Sequence, residues 1–241
     1  MSKSLSLIIA ALFCWSSPLT ADVVPKHLQD VRQLQENVLS RHNSYRHRDQ
    51  IVTWRGTDGA LKYICHADCS GLIDALLEHS YGLTKSRLYA WLGGNNRPLA
   101  KNYYRAIMGQ GGFQRIPTIQ QVRPGDLIAM EFLPGASDPE NDTGHILVVD
   151  TLPQKIQSDS LQKNGMVQWS VGLIDCTSHG HGKDDSRYRN GAYQPGIGKG
   201  FFALYTDQNG SFLGYSWTTS PQSEFHGPDK RPLAVGRLAI N

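Results

Sequence analysis

Cysteine is scarce in this chain, with four in 241 residues. They stand at 14, 65, 69 and 176. No C-x-x-C pair and no C-x-x-C-H run occurs, which excludes the usual redox and haem-attachment motifs. Net charge is small. Lys and Arg number 24 against 21 Asp and Glu, giving +3, too mild to argue for a nucleic-acid partner. No glycine-rich phosphate loop precedes a helix. Beyond the N-terminus no apolar run is long enough to span a bilayer. Internal repeats and low-complexity tracts are absent. What is present is an ordinary globular composition, 39% hydrophobic and 19% charged, with a length that suits one domain with extensions.

The N-terminus reads as an export signal. Lys3 supplies a positive charge, Leu5 to Trp15 is an uncharged apolar run, and Ser16-Ser17-Pro18-Leu19-Thr20-Ala21 resembles a cleavage region. Residues 1–21 are therefore assigned to a signal peptide. The protein is expected to be exported, periplasmic or extracellular, with no stable membrane anchor after cleavage. Phe13 is too large for the lipobox that Cys14 would need. The mature chain keeps Cys65, Cys69 and Cys176. An odd number in an exported protein suggests a free thiol. Either Cys65 pairs with Cys176 and leaves Cys69 free, or all three are reduced.

The stretch Asp68-Cys69-Ser70-Gly71-Leu72-Ile73-Asp74-Ala75-Leu76-Leu77 reads as a helix start. Ile73, Leu76 and Leu77 repeat at helical spacing, and Asp68 is a good N-cap. A cysteine in the first turn lies in the positive end of the helix dipole, which favours the nucleophilic thiolate. Gly71 allows a substrate or another backbone to approach.

Around this helix the chain alternates elements and turns. Pro25 to Leu39 carries an amphipathic stripe, Leu28, Val31, Leu34 and Val38, and residues 22–50 form an N-terminal helical extension. Arg41 to Arg48 reads as a solvated charged loop. Ile51–Trp54 is strand-like. Residues 83–113 read as helical segments joined by flexible turns. The turn Val122–Asp126 leads into a strand at 127–132, and Gly144–Val149 and Val167–Thr177 follow as antiparallel neighbours. Ser178–Gly200 reads as irregular. Residues 201–206 and 212–217 form a hairpin, and 233–240 a last strand.

His145 opens one strand and Asp175 lies near the end of its neighbour, so the two are placed side by side. His145, Leu147 and Val149 share one face, as do Asp175, Leu173 and Val171. Packed on the Cys69 helix, that face would bring thiol, imidazole and carboxylate together as nucleophile, base and orienter. The Cys69 backbone amide is placed to stabilise an oxyanion. His179, His181, Asp184 and Asp185 fit no usual zinc spacing, so no metal and no cofactor are expected.

Asp68-Cys69-Ser70-Gly71, then Pro124-Gly125-Asp126-Leu127-Ile128, then Gly144-His145-Ile146-Leu147-Val148 resembles the NlpC/P60 family of papain-like cell-wall cysteine peptidases in residue type and order. The resemblance covers roughly residues 50 to 178. It implies an α+β fold, with the nucleophile helix packed on an antiparallel β-sheet. On that reading 51–241 is the catalytic domain, with a β-rich extension from about 181. The resemblance gives Cys69 the nucleophile's place and His145 the base's. Asp175 stands where the family often has His. The family's upstream Tyr, in a Y-x-W-G-G-like stretch, is missing from Val52-Thr53-Trp54-Arg55-Gly56. Tyr63, Trp54 and Ser70 are the candidates for substrate or oxyanion contacts. The implied activity is a secreted cysteine endopeptidase or amidase acting on peptidoglycan stem peptides or another peptide or amide substrate. The alternatives are a non-catalytic envelope-binding module and a thiol acyltransferase.

Overall fold

The computed structural model describes residues 24–94, 97–136, 142–157 and 165–240. The signal-peptide assignment, 1–21, lies outside them. Among the described residues no helix is long and apolar enough to cross a membrane.

Helix α1 (Lys26–Asn37) buries Leu28, Val31 and Leu34, the expected stripe, against α2 (Cys69–Tyr81). Between them lies a small sheet of β1 (Asn43–Tyr45), β2 (Ile51–Thr53) and β3 (Ile64–Ala67), with β3 central, parallel to β1 and antiparallel to β2. This corrects the expectation of a free charged loop at 41–48, because Asn43, Ser44 and Tyr45 pair with Cys65, His66 and Ala67. Helices α3 (Lys85–Trp91) and α4 (Ala100–Met108) follow, with turn glycines 93 and 94 between them in the left-handed region.

The strands of the main sheet are β4 (Phe113–Ile116), β5 (Leu127–Glu131), β6 (Gly144–Val149), β7 (Gln154–Lys155), β8 (Val167–Thr177), β11 (Gly196–Thr206), β12 (Phe212–Ser216), β13 (Phe225–His226) and β14 (Leu233–Leu238). A separate short hairpin, β9 (Tyr188–Arg189) and β10 (Ala192–Tyr193), lies within the segment expected to be irregular. The sheet order is β13-β12-β11-β8-β6-β5-β14-β4, with β7 on β8, and every pairing in it is antiparallel.

The expected β-rich extension from about 181 is instead integral. β11 pairs with β8 along eleven residues, and β14 lies between β5 and β4. The N-terminal segment is integral too, since β1 pairs with β3. The sheet also curls. A bridge from Thr118 to Ser211 joins the segment after β4 to the β11–β12 turn.

Both faces of the sheet are consequently buried. Ile146, Val148, Ile174 and Cys176 face the helices with Leu72, Leu76 and Leu77. Leu147, Val149, Val171, Leu173, Phe202 and Tyr215 form a second core inside the curl. The Pro124-Gly125-Asp126 turn is a fastening of this frame. Gly125 has φ +95, and its carbonyl accepts from His27 at 2.7 Å. Asp126 takes two hydrogen bonds from Arg237, at 2.8 and 2.9 Å.

Candidate active site

Asp68 caps α2. Its Oδ1 accepts from Gly71 N at 2.8 Å and from Ser70 Oγ at 3.2 Å. The buried Ser70 thus serves the cap. Gly71 is needed for a side chain rather than a backbone or substrate, because a Cβ there would lie 2.1 Å from Gln50 Oε1.

The cap fixes where Cys69 points. Backbone groups of alternate β6 residues face alternate neighbours. Val149 exchanges hydrogen bonds with the β5 side, and Asp150 donates to Gly172 of β8. Ile146 therefore faces β8. The β6–β8 register covers only Val148↔Ile174 and Val149↔Leu173, so the two strands part before Ile146 is reached. Its N–H is left unpaired by the ladder, and the Cys69 sulfur accepts it. The N-terminus of α2 fills the opening between β6 and β8.

His145 and Asp175 meet on the other side of that opening. His145 Nε2 lies 2.7 Å from Asp175 Oδ2, and the ring stands edge-on to Trp217 at 4.8 Å. This corrects one expectation. The face shared by His145, Leu147 and Val149 does not pack on the Cys69 helix; it lines the second core. The helix end enters the opening, and there the charge of Asp175 reaches the Cys69 sulfur. Among the described residues Cys69 and His145 share no hydrogen bond. The bond to Asp175 leaves His145 Nδ1 as the ring's basic nitrogen.

Charge around Cys69 also differs from expectation. Burial pushes its thiol up, the carboxylates of Asp68, Asp142 and Asp175 push the same way, and the Ile146 N–H opposes them. Cys69 is 6% exposed and rests as a thiol. Cys65 and Cys176 are also free and buried, and the Cys176 thiol donates to the Ala67 carbonyl at 3.0 Å.

Asp175 is fully buried and strongly held. Burial alone would raise its carboxyl. The Arg187 guanidinium, His181 and the hydrogen bonds from both rings outweigh burial and hold it well below the usual range. His181 Nε2 lies 2.9 Å from the same Oδ2 that His145 engages, and Arg187 Nη1 lies 2.9 Å from Oδ1. His181 stacks on Trp217 at 4.5 Å, and its Nδ1 lies 2.7 Å from the Trp217 carbonyl. Asp185 grips Arg187 through both oxygens, at 2.8 and 2.7 Å, and accepts from His181 N at 2.8 Å. The ligand atoms of His145, Asp175 and His181 converge within 4.8 Å. The guanidinium on Asp175 and the hydrogen-bond spacing of both rings make this an ion-pair hub rather than a divalent-cation centre.

Two sequence candidates lie elsewhere. Trp54 stacks on His79 at 4.1 Å and donates to the Asp30 carbonyl. His79 is ten residues along α2 from Cys69, about 15 Å at the helical rise. Tyr63 packs on the helix-side core ahead of β3, at the end of that strand away from Cys69. The tyrosine beside the sulfur is Tyr45. Its register partner is Ala67, and the charges raising its hydroxyl, after burial, are Cys69, Asp142 and Asp68. The mouth is completed by His47, 3.4 Å from Asp68 Oδ2, and Arg97, 2.6 Å from the same oxygen.

Tyr45 and Arg187 were not singled out in the sequence, and His181 and Asp185 were weighed there only as metal ligands. One signal for the last three was present. Gly196, Gly198 and Gly200 alternate on β11. A Cβ at Gly198 would lie 2.5 Å from Arg187 Nε, and one at Gly200 would lie 2.7 Å from Asp185 Oδ2. Three glycines at spacing two clear a lane for another layer.

Fold and site together define an α+β protein with a thiol at a helix N-terminus beside a buried imidazole–carboxylate pair. The chain is 37% identical over 201 residues to uncharacterized protein R653 of Acanthamoeba polyphaga mimivirus, over 81% of this chain and 88% of that protein. It belongs to the same family as R653. No family model matches the chain, and no solved structure does.

Proposed function

We propose that the protein is an exported cysteine hydrolase with a papain-like fold of NlpC/P60 type, cleaving amide bonds in peptidoglycan stem peptides. The observation that carries the reading is the join at β6. The Cys69 sulfur is held by the N–H of Ile146, and the preceding residue, His145, is hydrogen-bonded to Asp175 at 2.7 Å. His145 takes the thiol proton at Nδ1 as sulfur attacks the carbonyl carbon, and returns it to the departing amine. Asp175 holds the ring and stabilises its cation. Water then releases the acyl group from sulfur. Amides at the start of α2 face the developing oxyanion, and Tyr45 takes the place first sought at Tyr63.

Because the thiol rests protonated, proton transfer accompanies attack instead of preceding it. The same burial supports a second reading, an envelope-binding module on this fold without turnover. Digestion of purified peptidoglycan by the mature protein and by Cys69→Ala, with mass analysis, separates the two. New amide-cleaved fragments from the wild type only are expected. Equal fragments from both proteins would remove Cys69 from the chemistry. Retained binding without cleavage would leave the binding module.

A further inference from the structure

We infer that His181 and Arg187 are positioning residues that act through Asp175 to fix the tautomer of His145. The inference rests on the cysteine-hydrolase reading only for its consequence at Cys69; the hydrogen-bond argument stands on geometry.

A carboxylate that orients a catalytic imidazole must be anionic and must not turn. Nothing in β8 itself ensures either for Asp175, which is fully buried. The segment after β8 supplies both. Arg187 Nη1 sits 2.9 Å from Oδ1, an ion pair without hydrogen-bond geometry, so it supplies charge to an oxygen that otherwise has no donor among the described residues. His181 supplies direction. Its Nδ1 faces the Trp217 carbonyl, which can only accept, so Nδ1 carries hydrogen. Its Nε2 faces Oδ2 of the ionised Asp175, which also only accepts. Both contacts are satisfied when the ring carries hydrogen on both nitrogens. Oδ2 is then held by a donor at 2.9 Å on one side and receives His145 Nε2 at 2.7 Å on the other.

A carboxylate oxygen committed in this way offers His145 an acceptor in one place. The ring answers with Nε2–H and keeps Nδ1 bare. Asp185 completes the device, because its two oxygens fix Arg187 and the His181 backbone. The charged and titratable groups acting on Asp175 are Arg187, His181 and His145, Asp185 holds Arg187, and Cys69 and Cys176 lie within reach of the Asp175 charge. The glycine lane of β11 keeps side chains out of this layer.

The test is nitrogen NMR of histidine rings in the full mature chain, with the iodoacetamide rate at Cys69 read in parallel. Wild-type His145 is expected as the Nε2–H tautomer. His181→Phe keeps the ring stack on Trp217 and removes both donors. It is expected to mix the His145 tautomers and slow alkylation about tenfold. Arg187→Lys keeps the charge but not the two-pronged grip of Asp185, and is expected to fall between. It also decides the matter if His181→Phe does not fold. Unmixed Nε2–H His145 and alkylation within twofold of wild type in a folded variant would overturn the inference. A His145→Gln control separates the two proposals: alkylation indifferent to His145 removes the hydrolase reading, while the tautomer data still judge the hub.

Discussion

At Cys69 two influences act in opposite directions on one sulfur. The first-turn amides and the Ile146 N–H favour negative charge there, while burial and three carboxylates oppose it. The opposing side prevails, so the helix-start pattern alone misled about ionisation. The pattern could not weigh Asp142 or Asp175, which lie 73 and 106 residues further along the chain. Alkylation of Cys69 by iodoacetamide should therefore be slow at mildly acid pH and rise with pH. Asp142→Asn should speed it several-fold near neutrality by removing a charge that disfavours thiolate. A rapid, pH-flat reaction in the wild type would contradict the resting thiol described here. Residue identities at the site were otherwise legible where local pattern sufficed. His145 and Asp175 are hydrogen-bonded at 2.7 Å, and the charge of Asp175 reaches Cys69. Tyr45 was not legible, because its place depends on a three-residue parallel pairing that carries no periodicity.

Elements with long local patterns were legible, and those defined by partners were not. α1, α2, β5, β6, β8, the β11–β12 hairpin and β14 fall where spacing and turns put them. β3 is four residues long and was hidden between turn residues and the helix cap. Which face of β6 meets the helix was also illegible, since both faces are apolar when a sheet is buried on both sides.

Inside α2, Asp74 adds a property that no pattern announces. Burial pushes its carboxyl from 3.8 up to about 7, against the opposing hydrogen bond from Tyr103. A folded value above the unfolded one means that this group's contribution is full below about pH 4 and is lost as pH rises through about 7, with a ceiling of roughly 4 kcal/mol. Asp74→Asn should flatten that loss and raise thermal stability at pH 8 relative to wild type. Equal melting temperatures at pH 8 would count against it. On β11, Gly198→Ala drives a methyl to within 2.5 Å of Arg187 and should cost about 1–3 kcal/mol in chemical denaturation.

At the scale of the whole molecule, the sheet order determines what can be removed. Because β14 fills the place between β4 and β5, a chain ending at residue 232 loses two ladders at once. It should fail to fold, seen as collapsed dispersion in a proton–nitrogen spectrum. A dispersed, cooperative spectrum would show that β14 is dispensable to the fold. The sheet's curl makes the same point from the other edge, where the segment after β4 touches the β11–β12 turn through Thr118 and Ser211. Neither closure was visible in the linear order, which read these segments as additions to a core ending near 178.

The central position of β14 has a consequence during synthesis. Domains fold as units once their pieces are available. Here α2, β6 and β8, which carry Cys69, His145 and Asp175, all leave the ribosome before the strand that seats β4 against β5. If the protein is the exported hydrolase proposed above, that delay would be a safeguard. On that reading the nascent polypeptide would stay open for translocation, and Cys69 would be brought to His145 only after residues 233–238 have emerged.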